Sequence, residues 1–267
     1  MARITSRWLL WRLPALVACA AGILFAAGFW LALRGTLGDP IGEPPPAPAP
    51  PAPISRKSGQ RLLLVLGDSL ARGTGDENGG GFALDPLEAW KKRGPAQLVN
   101  LGVNGAESAD VLAVAEKPNV KSLAASADAI LLSAGGNDLS HAVTRDVSGS
   151  PVEAAARIEK ARIAYAANVG KILAGLREAN AKCPIALIGL YNPFGGAGPE
   201  GSLGRAVLLE WTGSAERAAL AFADVRVVPT FDLFDGRPDR LAADRFHPNG
   251  KGYALIAERI LQVLPDN

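Results

Sequence analysis

At 267 residues, 48% hydrophobic and 20% charged, the chain has enough apolar material for one α/β domain of about 200 residues plus an appendage. The formal net charge of +2 hides an asymmetry: residues 1–60 carry six Lys/Arg and two acids, so the remainder is net −2. That balance excludes the electrostatic footprint of a nucleic-acid-binding domain. Two cysteines and two histidines leave no cluster with metal-ligand spacing, so neither metal nor cofactor is expected.

Residues 1–38 read as a short cytoplasmic N-terminus and a transmembrane signal anchor. Leu13 to Leu33 are uncharged, and as a helix they would span about 30 Å, the hydrocarbon thickness of a bilayer. Trp8, Trp11 and Trp30 stand where interfacial aromatics belong. Arg3, Arg7 and Arg12 precede the span, whereas Arg34 alone follows closely, which places the N-terminus inside and the bulk of the chain outside the cytoplasm. The span exceeds an ordinary signal-peptide core, which favours an uncleaved anchor. Two alternatives stay open: a cleaved signal, and lipidation at Cys19, since Leu16-Val17-Ala18-Cys19 resembles a lipobox.

Residues 39–60 form a linker. Asp39 to Pro53 contain eight prolines, a composition that favours extended polyproline II and reaches on the order of 40 Å as a semi-rigid stalk. Beyond Gln60 the pattern alternates. Apolar runs at Leu62–Leu66, Gln97–Leu101, Ala129–Ser133, Ile185–Leu190 and Val225–Pro229 predict strands. Helices are predicted at Gly81–Lys92, Ser108–Ala115, Asn119–Ala125, Pro151–Ala181, Leu203–Ala223 and Asn249–Leu264. Strand–helix alternation argues for a parallel sheet covered on both faces across residues 61–267. Ile158, Ile163, Val169, Ile172 and Leu176 form an apolar stripe expected to pack in the core, and Cys183 a small buried hydrophobe.

The chemistry is carried by two distant segments. Gly67-Asp68-Ser69-Leu70 ends the first apolar run, so a serine is delivered onto a turn at the sheet edge where α/β proteins place their sites. Asp244-Arg245-Phe246-His247-Pro248 puts a carboxylate three residues before an imidazole. Serine attacks only when a base takes its proton, and the base needs a partner that fixes its tautomer. A serine that merely caps a helix is the plainer account of the first segment alone.

Together these segments resemble the SGNH (GDSL-type) serine esterase and lipase family. Asn100-Leu101-Gly102-Val103-Asn104-Gly105 resembles its second block and Gly135-Gly136-Asn137-Asp138 its third, and all four occur in family order. The stretch Ala71-Arg72-Gly73-Thr74-Gly75-Asp76 is similar to a membrane-tethered bacterial branch. The resemblance implies a three-layer α/β/α, flavodoxin-like fold with five parallel strands in the order 2-1-3-4-5. It implies Ser69 as nucleophile, His247 as base and Asp244 as its orienter. It assigns the oxyanion donors to the backbone N–H groups of Ser69 and Gly105 and the amide of Asn137.

Each assignment has a plainer alternative. Gly105 fits a turn, Asn137 a strand-end Asx turn, and Asp138 a support for its loop. His141 either edges the pocket or sits solvated at a helix start, the latter being favoured. Gly79-Gly80-Gly81 and Gly195-Gly196-Ala197-Gly198 lack phosphate-loop spacing and read as mobile loops that admit or shape substrate. The expected activity is hydrolysis of acyl or acetyl esters through an acyl-enzyme, on a small or envelope-associated substrate outside the membrane. The alternatives are a lysophospholipase or thioesterase on the same machinery, or a non-catalytic envelope-binding domain.

Overall fold

Five strands line up in parallel: β1 Arg61–Gly67, β2 Ala96–Gly102, β3 Ala129–Ser133, β4 Ile185–Ile188 and β5 Val225–Val228, in the order β2-β1-β3-β4-β5. These positions come from a computed structural model that describes residues 59–144, 150–193, 195 and 199–264. The expected span over residues 13–33, Cys19, and all of the linker but its last two residues lie outside that set. Among the described residues, no helix is long and apolar enough to cross a membrane.

The helices are α1 Ser69–Arg72, α2 Leu84–Lys91, α3 Ser108–Ala115, α4 Pro118–Ser126, α5 Gly136–Thr144, α6 Pro151–Ala179, α7 Pro199–Ala219, α8 Phe231–Phe234 and α9 Gly250–Val263. Three central runs are apolar at nearly every position because both faces of the sheet are covered. On one face Leu63, Val65, Leu131 and Ile188 pack with Phe82, Trp90, Tyr253 and Ile256, so α2 and α9 form that layer. The alternate residues, such as Leu64, Leu66 and Leu132, point to the opposite face and are fully buried there. That side belongs to α3 to α7, with α6 packed against α3, α4, α5 and α7.

Helix α6 begins where its residues say it should. Ser150 and Glu153 form a reciprocal capping box, and Pro151 takes the first turn. Its core face is Tyr165, Val169, Ile172, Leu173 and Leu176. The expected stripe needs correcting at two positions. Ile163 is 58% exposed, because two residues back from Tyr165 is about 200° around the helix. Ile158 shares the core-side direction but lies nearer the helix start, where it faces a cleft instead of the core.

The structure also adds α5, which starts on Gly136-Asn137 and has only one buried residue, Ala142, so no apolar run announces it. Helix α7 starts at Pro199, four residues before the predicted Leu203. Cys183 is buried ahead of β4, and that burial pushes its thiol up to about 12.

Candidate active site

β1 leads straight into Ser69, the first residue of α1. The turn between them is tightly made. Leu66 pairs with Leu132 across β1 and β3, which leaves Gly67 beside Ser133. A Cβ on Gly67 would lie 2.3 Å from Ser133 Oγ and 2.5 Å from its carbonyl oxygen, and the residue has φ of 145°. Only glycine fits there. Asp68 then caps α1 by accepting the Leu70 N–H at 3.0 Å, and Ser133 Oγ donates to the same carboxylate oxygen at 2.6 Å. Burial pushes the Asp68 carboxyl up, outweighing the hydrogen bonds that favour its charged form. On the other side, Asn100 Nδ2 donates to the Ala71 carbonyl at 2.7 Å and ties β2 to α1.

The second segment is a turn stabilised from within. Asp244 Oδ1 accepts the N–H groups of Phe246 at 2.9 Å and His247 at 3.0 Å, and Arg245 takes a left-handed φ of 55° at the apex. The Ala242 N–H donates to the His247 carbonyl at 2.8 Å and closes the turn. Asp244 Oδ2 lies 2.7 Å from His247 Nδ1, and His247 Nε2 lies 2.8 Å from Ser69 Oγ. Partial burial alone would raise the Asp244 carboxyl, but the bonds from the imidazole and the two amides together hold it below its ordinary range. A hydroxyl bonded to an imidazole that is itself bonded to an ionised carboxylate can pass its proton to the ring.

Three further residues bear on this turn and on the helix start that follows it. Tyr191, just beyond β4, donates its hydroxyl to the Phe246 carbonyl at 2.8 Å. Burial pushes that phenol well above its ordinary value, so it acts as a neutral donor. A Cβ on Gly75 would come within 2.8 Å of His247 Cβ and 2.6 Å of the Pro248 carbonyl, so this glycine permits close approach. Glu77 accepts the Gly250 N–H at 2.8 Å, fixing the start of α9.

The third group of residues sits after β2 and β3. Asn137 Nδ2 donates to the Ala106 carbonyl at 2.8 Å; the amide carries two N–H groups, so one remains to be directed elsewhere. Thr74 Oγ1 donates to Asn104 Oδ1 at 2.8 Å. Gly105, with φ of 75°, therefore sits between one residue tied to the stretch after α1 and one tied to α5. Asp138 accepts from the Ser108 N–H at 2.8 Å and from its hydroxyl at 2.5 Å, which makes it a support for the loop. His141 is not at a helix start. It lies in α5, pairs with Glu107, and does not line the cleft.

Ser69, His247 and Asn137 share one cleft of about 620 Å³, which α5, α6 and α7 line mostly with aliphatic side chains. Gly105 and Asp244 are not among its lining residues. The glycine-rich stretches divide. Gly79, Gly80 and Gly81 do not line the cleft, and the N–H groups of Gly80 and Gly81 donate to Asp76 at 3.0 and 2.8 Å. That carboxylate fixes the loop, so its expected substrate-shaping part is corrected. Gly195 does line the cleft, and Gly196 to Gly198 lie outside the described residues.

Sequence reasoning missed Tyr191, Ser133 and the aliphatic wall. Ser133 had a signal, since it ends a central strand at the same sheet edge as Ser69. Tyr191 had none, because its partner is 55 residues away.

Comparison with known proteins agrees with this fold. The model of the GDSL-like Lipase/Acylhydrolase family matches residues 65–255. The uncharacterized protein YpmR of Bacillus subtilis is 30% identical over 209 residues, covering 76% of this chain and 81% of that protein. Spore germination lipase LipC of Bacillus licheniformis is 25% identical over 207 residues, covering 73% of this chain and 92% of LipC. The lipase Lip_vut3 from a goat rumen metagenome shares the fold, with a TM-score of 0.65 at 22% identity over 76% of this chain and 97% of that one. The chain therefore belongs to the GDSL-like lipase/acylhydrolase (SGNH) family and is a carboxylic ester hydrolase.

Proposed function

We propose that this hydrolase works through an acyl-enzyme on Ser69, outside the cytoplasmic membrane. The observation that carries the mechanism is the relay of 2.8 Å from Ser69 Oγ to His247 Nε2 and 2.7 Å from His247 Nδ1 to Asp244. His247 takes the hydroxyl proton as Ser69 Oγ bonds to the ester carbonyl carbon, and the carbonyl oxygen becomes an oxyanion. The N–H groups of Ser69 and Gly105 and the second N–H of Asn137 receive that charge. The C–O bond to the alcohol then breaks, and the leaving oxygen takes the proton from His247. Water repeats the cycle: it gives a proton to His247, attacks the acyl carbon, and releases the acid while Ser69 recovers its proton. Asp244, held ionised, keeps Nδ1 protonated throughout.

A lipase among the relatives, LipC, is consistent with an ester of a fatty acid. For location, the support is the uncharged stretch 13–33 with its preceding arginines and the proline-rich stalk. A fluorophosphonate probe should label Ser69, as read by peptide mass spectrometry, and Ser69→Ala should abolish both label and turnover. Label on a different serine would refute the nucleophile. A reporter enzyme that is active only outside the cytoplasm, fused after Asn267, should be active. Silence there, with a working cytoplasmic reporter at the same position, would reverse the orientation.

A further inference from the structure

Resting on the hydrolase reading above, we infer that the cleft between α5 and α7 is an acyl-chain groove, built for esters of medium-length or longer fatty acids in preference to acetyl groups. The volume of about 620 Å³ is far larger than an acetyl group needs and sits within the range of sites that enclose whole small molecules. Its chemistry is segregated. The charge-bearing side chains that line it, Asp68 and His247, both stand at the Ser69 end.

Beyond Asn137 the helices line it mostly with aliphatic side chains, the hydroxyls of Ser140 and Thr144 being the polar groups among them. Leu139 and Val143 lie four residues apart on α5, so they share one face, and Leu203 and Val207 do the same on α7. Ile158 of α6 lies between these helices in the chain and lines the same space. The hydroxyl of Thr144, which also lines the cleft, is directed onto the Ser140 carbonyl at 2.8 Å. A sugar ring would need several polar partners on this wall, whereas an alkyl chain needs none.

The direction of the wall fits a chain drawn away from the serine. Asn137 begins α5 beside Ser69, and Val143 follows six residues later, about 9 Å along the helix axis. At the rim Val143 is 49% exposed and Leu203 68% exposed, so two large apolar side chains on facing helices are uncovered. A bound acyl chain covers both. Each methylene placed there contributes about 0.8 kcal/mol, a roughly fourfold gain in kcat/KM.

The test uses the full chain and a series of p-nitrophenyl esters from acetate through butyrate to octanoate. The octanoate-to-acetate ratio of kcat/KM should be on the order of 10³ in the unmodified protein, from six methylenes at about fourfold each. Val207→Trp, which fills the groove from a half-buried helix position, should lower that ratio at least tenfold, and Val143→Trp should do so from the facing helix. A flat or falling profile in the unmodified protein would overturn the groove, as would an unchanged ratio in both variants. That profile needs no variant, so a misfolded mutant does not rescue the idea. Turnover of no ester, with no phosphonate label at Ser69, would instead remove the hydrolase reading itself, and the groove with it.

Discussion

The nucleophile and its base are held in opposite ways. Asp68, Ser69 and Ser133 are 6%, 7% and 1% exposed, and their positions come from the ends of two central strands. The Asp244 and His247 side chains are 47% and 17% exposed, and their turn is made by local bonds from the Asp244 carboxylate to neighbouring amides. One half of the site is therefore an extension of the core. The other is a surface turn tied down by the Tyr191 hydroxyl, given room by Gly75, and followed by a helix start that Glu77 holds. Damage to the packing of the first half should read out as lost stability, and damage to the second as lost rate at unchanged stability.

The sharpest way to break this contrast is at the base. His247→Ala should lower kcat by about 10⁴-fold or more, with thermal unfolding little changed. His141→Ala should keep most activity, because its partner is Glu107 and it does not reach the cleft. Equal losses in two folded variants would undo the assignment. Next in size, Asn137→Ala should lower kcat by roughly 10²–10³ with a small change in KM, if its free N–H acts in the transition state. An effect confined to KM would make Asn137 a substrate contact.

Gly67→Ala tests the core half. A Cβ there meets Ser133 Oγ at 2.3 Å, so one strand end must shift. A stability loss of about 2–3 kcal/mol is expected, lowering Tm by several degrees. An unchanged Tm would mean the turn is softer than its burial implies. The smallest effect belongs to Tyr191→Phe. Loss of one neutral hydrogen bond to the Phe246 carbonyl should slow kcat roughly 2- to 10-fold, with KM for a short ester and Tm nearly constant. A fall in Tm without a fall in kcat would make Tyr191 a packing residue alone.

The core half was largely legible in the sequence and the surface half only in part. Strands Leu62–Leu66 and Ala129–Ser133 show as unbroken apolar runs because helices cover both faces of the sheet. The Asp244-x-x-His247 spacing shows because a carboxylate and an imidazole three residues apart meet in one turn. Helix α5 stayed hidden because Gly136-Asn137-Asp138 reads as a strand-end loop, and its one buried residue leaves no stripe. The cleft wall stayed hidden for another reason. Leu139, Ile158 and Val207 become neighbours only when three helices pack, and no local pattern encodes that meeting. Tyr191 and Phe246 are a case of the same kind.

An aliphatic wall also sets what happens after the chemistry. With an acyl chain in the cleft, as inferred above, the side chains of Val143 and Leu203 would make the same contacts with an ester, with an acyl group on serine, and with the free acid that leaves. Such uniform contact speeds capture at low substrate but does not lower the barrier between bound states. The acid keeps the grip that the ester had. On that inference, departure of the acid should overtake bond-breaking as the slow event as the acyl chain lengthens, and progress curves should bend early from product retention. Such a catalyst would run fastest where another sink, a lipid phase or a carrier, draws the acid away.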